Sequence, residues 1–266
     1  MRLRSLARPI LKHLVAPIDY GPNKGLLCSR ACGRAYRIGV YEQGRWESLG
    51  PTIEAGEVFW HAGAHYGYVT LLAHRAVGPE GRVIAFEPHA RNRWFARKHL
   101  AANRVANADL FPWALSNFTG TAKFGGGRGS GTKRLGAGHA TAEVRSVDAL
   151  VVEGLRAPTW LKIDVEGGES ALLEGAADTL AHRPVLVLVA THSAEQHTRC
   201  LELLTAYGYA CHVPDRAVAT LAAGEGEMDT EILAVGPGRV LDPAHLQAFL
   251  TADVYSHRDP SPKVSS

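Results

Sequence analysis

Cysteine is scarce in this chain of 266 residues, and the spacing of its cysteines excludes two kinds of stabilisation. A structural zinc site would need a second close pair beside Cys28 and Cys32, and the sequence has none. Adding Cys200 and Cys211 gives four cysteines, which are too few for a disulfide framework in a chain of this size. We therefore expect buried or free thiols and a cytoplasmic protein.

Long apolar runs are also missing, since no stretch reaches the roughly 18 residues that span a bilayer. The first residues, MRLRSLARPILKHLVAPI, alternate apolar side chains with arginine and lysine. Charges interrupt the apolar stretch, which makes it a poor fit to a secretory signal peptide. Two interpretations stay open: a helix or arm that caps the main domain, or a basic segment making weak contact with an anionic membrane surface.

A strong excess of one charge is absent as well. The 29 Lys and Arg residues exceed the 26 Asp and Glu residues by only three. An excess this small gives no electrostatic basis for a nucleic-acid partner. The hydrophobic fraction of 46% is typical of a folded soluble domain, so we expect a globular protein.

Apolar strand patterns and helical patterns alternate from residue 57 onward. This alternation predicts βαβ units, a mainly parallel sheet and helices on both of its faces. The predicted strands, in chain order, are a short strand that starts at 57 and runs into a glycine-rich turn, 82–88, one within 108–116, 120–124, 159–167, 183–192, 210–213 and 230–235. We expect a helix over 169–180, after the fifth of these strands.

The predicted domain organisation has three parts. Residues 1–50 form an irregular N-terminal extension or cap, 51–240 form the main domain, and 241–266 form a C-terminal helix and a disordered tail. Within the main domain, residues 117–141 are rich in glycine and predict a strand followed by a mobile loop. That loop is either a flexible connection or a lid whose Arg128, Lys133 and Arg134 meet the substrate.

A glycine turn and an acid follow the first two main strands. The segment HAGAHYG places Gly63 and Gly67 in a turn before a helix, where backbone N–H groups are free to bind an anion. Glu87 ends the next strand, and an acid in that place accepts hydrogen bonds from ribose hydroxyls. The pair predicts an adenosine-containing cofactor. The G-x-x-x-G spacing differs from the G-x-G-x-x-G of dinucleotide sites, which disfavours a nicotinamide-dependent oxidoreductase.

Six stretches, in order, resemble the FkbM-type family of S-adenosylmethionine-dependent methyltransferases. They are HAGAHYGYVTLLA, GRVIAFEPHARN, the A-L-S at 114–116, the V-D-A-L at 147–150, LKIDVEGGESALLEGA and RPVLVLVATH. The resemblance implies a Rossmann-like methyltransferase fold with a mainly parallel seven-stranded sheet. It also implies S-adenosyl-L-methionine as cofactor and methyl transfer to a hydroxyl of a sugar, glycan or secondary metabolite. The partner that the resemblance implies is therefore a small-molecule or carbohydrate acceptor. The cofactor contacts that we expect are His61, Gly63, Ala64, Gly67, Glu87, Pro88, Ala114 and Leu115.

Two positions depart from the family pattern. Family members usually carry Asp where this chain has His61, and often carry Glu where it has Ala190. An alternative to an active enzyme is therefore a non-catalytic member that retains the fold and binds a nucleoside ligand.

Acids and a histidine stand at the ends of the later strands. A hydroxyl acceptor has to lose its proton, and Asp164, Glu166, Glu169 and His192 are candidates for the base that assists. We place catalysis on Asp164, His192 and Glu166. Lys162, on an otherwise apolar strand, either pairs with an acid or extends to the surface. We assign no metal ion from the sequence, although the same three catalytic candidates could bind a divalent ion that lowers the pKa of the acceptor.

Overall fold

The computed structural model describes residues 14–127, 129, 131–214 and 230–252. The basic N-terminal stretch, with its two open interpretations, lies almost entirely outside these residues, as do Arg128 of the glycine-rich loop and the tail from Asp259. In the part of the chain that is described, no helix is both long enough and apolar enough to cross a membrane.

The N-terminal segment is ordered structure from residue 15, so the predicted irregular extension is wrong in this respect. A two-stranded hairpin is followed by two short helices: β1 (Val15–Pro17), β2 (Leu27–Ser29), α1 (Arg34–Ile38) and α2 (Gln43–Leu49). Trp46 and Leu49 are buried, and the indole of Trp46 lies 6.2 Å from that of Trp160 in the main sheet. Elements this short depend on packing against the rest of the chain, which explains why local periodicity did not indicate them.

Eleven further strands are described. In chain order they are β3 (Val58–Ala62), β4 (Arg82–Phe86), β5 (Ala108–Phe111), β6 (Ala114–Leu115), β7 (Gly120–Gly125), β8 (Arg134–Leu135), β9 (Ala140–Arg145), β10 (Trp160–Ile163), β11 (Leu186–Thr191), β12 (Ala210–His212) and β13 (Thr230–Val235). Seven of them form the main sheet, in the spatial order β5-β4-β3-β10-β11-β13-β12. In this sheet, the neighbouring strands β5, β4, β3, β10 and β11 are parallel to one another. Strand β13 is antiparallel to both of its neighbours, β11 and β12. The prediction of a mainly parallel seven-stranded sheet is confirmed.

Helices cover both faces of this sheet, as predicted. They are α3 (Tyr68–Val77), α4 (Ala90–Ala102), α5 (Val147–Val152), α6 (Glu169–Glu174), α7 (Ala177–His182), α8 (Ala194–Ala206) and α9 (Pro243–Thr251). One apolar cluster joins a sheet face to α2, α3 and α9, and a second joins the opposite face to α5, α6, α7 and α8. The four cysteines are free thiols, three of them buried, which confirms the prediction for these residues.

The glycine-rich region 117–141 forms part of a second sheet rather than one mobile loop. Its four strands have the order β6-β9-β7-β8. The predicted strand at 120–124 is confirmed as β7, and the predicted loop after it contains β8 and the start of β9. The apolar alternation of β9 rests on Ala142 and Val144, side chains too small to stand out as a strand signal.

The predicted helix over 169–180 is two helices, α6 and α7, separated at Gly175. A Cβ on Gly175 would lie 2.1 Å from the carbonyl oxygen of Ser116, which follows β6. Only glycine allows this approach, so the small sheet is seated where the two helices meet.

Candidate active site

A cleft opens at the carboxyl ends of β3, β4 and β10, the edge at which open α/β sheets bind ligands. Its volume is about 300 Å³. The N-terminal segment and the small sheet both contribute to its walls. The side chains and backbone that line it include Tyr36, Tyr41, Gly63, His65, Phe86, Glu87, Pro88, Asn92, Trp113, Ala114, Leu115, Phe124, Lys133, Leu135, Asp164, Val165, Glu166 and Gly168.

The glycine turn lies at the base of this cleft. Gly63 has a φ of +84°, and a Cβ there would lie 1.8 Å from the carbonyl oxygen of Asp164. Its N–H and that of Ala64 both donate to the carbonyl of Phe86, at 3.0 Å. The absence of a side chain at Gly63 therefore lets the ends of β3 and β10 meet.

Glu87 follows β4 and faces the same turn. One carboxylate oxygen accepts the backbone N–H of His65 at 2.7 Å, and the other accepts that of His89 at 2.8 Å. Burial raises the pKa of Glu87 to about 7, although both N–H donors act to lower it. The side-chain amide of Asn92 also donates to this carboxylate. A carboxylate has about four lone-pair sites, so it can still accept from a ligand.

Five of the eight predicted cofactor contacts line the cleft, namely Gly63, Glu87, Pro88, Ala114 and Leu115. Ala64 and Gly67 belong to the turn without lining the cleft. His61 lies behind the turn, 3% exposed, with its Nδ1 3.0 Å from the hydroxyl of Thr70. Burial lowers the pKa of His61 to about 3, helped by the charge of Lys162, so this imidazole is neutral.

Asp164 is the first residue after β10 and is paired with Lys162 two residues earlier. The Lys162 ammonium is 1% exposed and lies 2.9 Å from Oδ2 of Asp164. Pairing with an acid, one of the two interpretations of Lys162, is confirmed. Burial would raise the pKa of Asp164, but the charges of Lys162 and His192 outweigh it and lower that pKa. Asp164 is therefore ionised.

His192 follows β11 and lies beside Asp164 and Glu166, two residues that line the cleft. Its Nδ1 lies 2.8 Å from Oε1 of Glu169, while its Nε2 lies 3.5 Å from Asp164 and 3.7 Å from Glu166. Burial lowers the pKa of His192, but the bond to Glu169 and the carboxylates raise it to about 9. Glu166 has a φ of +60°, a backbone conformation that residues other than glycine seldom adopt. The four residues proposed from sequence as acceptor-side candidates thus come together.

A buried ion network lies between the N-terminal segment and the sheet, and it was not anticipated. Arg45 of α2 is 3% exposed, lies 2.7 Å from Glu42 and also pairs with Glu231 of β13. Burial raises the pKa of Glu231 to about 7, although Arg45 lowers it. These residues are separated by up to 189 positions, so no sequence spacing indicates the network.

Aromatic side chains form two walls of the cleft. Phe111 and Trp113 stack with ring centroids 4.4 Å apart, beside Ala114 and Leu115. On the other side, Tyr36 and Tyr41 stack at the same separation, and the hydroxyl of Tyr36 lies 2.9 Å from Nδ1 of His65. The tyrosines were missed because they lie in the segment interpreted as an irregular extension.

A family model described as the methyltransferase FkbM domain matches residues 61–211, which is more than half of the chain. The chain belongs to the FkbM methyltransferase family. This FkbM methyltransferase depends on S-adenosylmethionine as its cofactor, as the resemblance implied. Tyr36, Tyr41, Arg45 and Glu231 lie outside the matched residues.

Solved structures similar to this FkbM methyltransferase share its fold at low sequence identity. A protein assigned as an rRNA methylase, from Clostridium thermocellum, is 10% identical with a TM-score of 0.50, over 75% of this chain and 94% of its own. An FkbM methyltransferase from Methylobacillus flagellatus is 18% identical with a TM-score of 0.47, over 67% and 43%. An O-methyltransferase from Bacillus cereus, in complex with SAH, is 16% identical with a TM-score of 0.47, over 73% and 80%. No curated protein sequence matches this chain.

Proposed function

We propose that this enzyme is an O-methyltransferase that transfers the methyl group of S-adenosylmethionine to a hydroxyl of a sugar, glycan or secondary metabolite. One observation carries the proposal: an acid suited to a ribose, Glu87, lines the same cleft as Asp164 and Glu166, and His192 lies beside these two acids. The first set suits the cofactor and the second suits a hydroxyl acceptor.

The cofactor half rests on the turn and on Glu87. The ribose hydroxyls donate to the Glu87 carboxylate, which can still accept beside its bonds from the backbone N–H groups of His65 and His89 and from Asn92. The adenine lies along the wall formed by Trp113, Ala114 and Leu115. In this arrangement His61 needs no contact with the cofactor, because its imidazole faces Thr70, and its departure from the family's Asp removes no group from the cleft.

The part of the proposal that concerns the acceptor rests on two tyrosines and on the acidic group, by which we mean Asp164, Glu166 and His192. The apolar face of a sugar ring packs on aromatic side chains, while its hydroxyls donate to carboxylates. Tyr36 and Tyr41 supply the aromatic surface, and Asp164 and Glu166 supply acceptors on the same cleft. This combination favours a polyhydroxylated acceptor over a purely apolar one.

The transfer is an in-line displacement. A bond forms between the acceptor oxygen and the methyl carbon as the carbon–sulfur bond breaks, and its electron pair stays on sulfur to give S-adenosylhomocysteine. The hydroxyl proton leaves toward the acidic group. Aligning oxygen, carbon and sulfur supplies much of the rate gain, so the residues that hold the acceptor matter as much as any base.

Calorimetry with S-adenosylmethionine, S-adenosylhomocysteine and NAD, followed by a screen of acceptors with labelled methyl donor, tests the function. We expect binding of both sulfur compounds, none of NAD, and label in a hydroxyl-bearing product. Binding of NAD alone would favour an oxidoreductase. Binding of the sulfur compounds without transfer to any acceptor would favour a non-catalytic member of the family.

Asp164→Asn separates acceptor chemistry from cofactor support. We expect turnover to fall by about 100-fold or more, because the change removes a charged group from the acceptor side. The dissociation constant for S-adenosylhomocysteine, measured by calorimetry, should change much less. Equal loss of both would assign Asp164 to cofactor support. Because Lys162 loses its partner, the fold of the variant is checked by circular dichroism.

A further inference from the structure

The contacts of His192 determine that its Nε2, and not its Nδ1, is directed at Asp164 and Glu166. Glu169 is fully buried, and its Oε1 accepts the N–H of Gly167 at 2.7 Å and lies 2.8 Å from Nδ1 of His192. The carboxylate therefore holds the imidazole by Nδ1 and leaves Nε2 directed at Asp164 and Glu166. A buried carboxylate behind a histidine in this way is the usual support of a metal-binding imidazole.

The distances around Nε2 suit a shared cation better than direct hydrogen bonds. Nε2 lies 3.5 Å from Oδ1 of Asp164 and 3.7 Å from Oε2 of Glu166, beyond the roughly 2.7–3.2 Å of an N–H···O bond. Ligand atoms each about 2.1 Å from one ion are about 3.0–3.4 Å apart. The three side chains offer ligand atoms that all lie within 4.8 Å of one another.

The charges at this place give such a cation a role. Three carboxyl groups, from Asp164, Glu166 and Glu169, surround one imidazole, and Lys162 pairs with only the first. Negative charge that develops on an acceptor oxygen would be repelled by these carboxylates. A divalent ion among them reverses the local field and lowers the pKa of a hydroxyl that it binds.

We infer that Asp164, Glu166 and His192 bind one divalent metal ion, and that this ion holds the acceptor hydroxyl. A mixed set of two carboxylate oxygens and one imidazole nitrogen suits Mn²⁺ or Zn²⁺ better than Mg²⁺, which prefers oxygen ligands. Three protein ligands leave open positions for water and for the acceptor oxygen, and the ion takes the place of the proton on Nε2 of His192. The bound hydroxyl releases its proton to a carboxylate oxygen of Asp164 or Glu166 that does not bind the ion. The role of the ion rests on the proposed function, whereas its binding does not.

Mn²⁺ binding to the chelator-treated full chain, without cofactor, tests the site directly. Electron paramagnetic resonance of free Mn²⁺ should show one equivalent bound by the wild type. Glu166→Gln and His192→Ala should each weaken binding at least tenfold, and Glu169→Gln should weaken it by 10- to 100-fold through loss of imidazole support. Glu166 is partly exposed, so its variant is expected to fold.

Asp178→Asn is the matched control. Asp178 also lies beside a histidine, His182, but both side chains are more than 70% exposed and far from the cleft in chain position. We expect Mn²⁺ binding to this variant to match the wild type. Absence of stoichiometric binding, or equal binding by Glu166→Gln and the wild type, would overturn the inference. Methyl transfer that persists after chelation would do the same while leaving the proposed function intact.

Discussion

At the scale of single residues, the site depends on groups whose surroundings change their ordinary chemistry. Glu87 is an acid that burial makes harder to ionise, and two backbone N–H groups hold it in place. A ribose hydroxyl binds best to its ionised form, since a carboxylate accepts on both oxygens. Cofactor affinity should therefore report on the ionisation of this one side chain.

Lowering the pH from 8 to 6 should weaken binding of S-adenosylhomocysteine by about tenfold. With a pKa of about 7, Glu87 is mostly ionised at pH 8, and only about one tenth is ionised at pH 6. Glu87→Gln should bind about tenfold more weakly at pH 8, because an amide keeps only one acceptor oxygen. Calorimetry across this range should give a flat profile for the variant. A wild-type profile that is equally flat would contradict the ribose role.

Gly63 and Gly56 form a second test, since both have a positive φ but different surroundings. Alanine at Gly56, with a φ of +87° and open space around it, should cost about 1 kcal/mol of unfolding free energy. Alanine at Gly63 meets the Asp164 carbonyl, so its cost should be larger by about 2 kcal/mol or more. Urea unfolding measures both. Equal costs would mean that the strand ends are not held together at Gly63.

Sequence reasoning identified Gly63, Glu87, Asp164 and His192 because each stands at a strand end, where local pattern and chain position coincide. Tyr36 and Tyr41 carried no such signal. Their place in the cleft depends on α1 and the turn after it packing across the sheet edge, a contact that involves residues far apart in the chain.

At the scale of secondary structure elements, the mainly parallel direction of the main strands followed from the alternation of strand and helix patterns, whereas their order in the sheet and the small sheet did not. Strands β8 and β9 are short or lack large apolar side chains, so tertiary pairing with β7 determines them more than their own sequences do. Likewise, the break between α6 and α7 reflects the contact of Gly175 with Ser116 as well as the low helix propensity of glycine.

The ion pair between Arg45 of α2 and Glu231 of β13 should contribute to the stability of the fold, because both side chains are buried. Arg45→Met leaves Glu42 and Glu231 buried without their cation and should lower the unfolding free energy by about 3–5 kcal/mol. The double variant Arg45→Met with Glu231→Gln should recover part of the lost unfolding free energy. Arg199, half-exposed and paired with Glu174 and Glu202, is the control, and Arg199→Met should leave stability nearly unchanged. Equal effects of the two arginine changes would show that the buried network is dispensable.

At the scale of the whole molecule, the folded unit extends beyond residues 61–211, which are the part that matches the family model. The face of the sheet that carries Phe59 and Trp160 is covered by Trp46 and Leu49 of α2 and by Phe249 of α9. The prediction of an N-terminal cap identified a separate region, but it did not anticipate that this region completes both the core and the cleft.

Removing residues 1–50 should therefore prevent stable folding and not merely alter specificity. The deletion exposes buried aromatic side chains and takes Tyr36 and Tyr41 from the cleft. We expect an aggregated product or one without a cooperative thermal transition, measured by calorimetry beside the full chain. A soluble fragment that melts cooperatively and binds S-adenosylhomocysteine as tightly as the full chain would contradict this account.

We propose that one cleft holds the cofactor between the glycine turn and Glu87, with its methyl end toward Asp164, Glu166 and His192. A crystal structure of the full chain with S-adenosylhomocysteine would show this arrangement. We expect both ribose hydroxyls within hydrogen-bond distance of the Glu87 carboxylate, and the sulfur directed at Asp164 and His192. A nucleoside bound elsewhere, or a sulfur pointing away from these two residues, would rule the arrangement out.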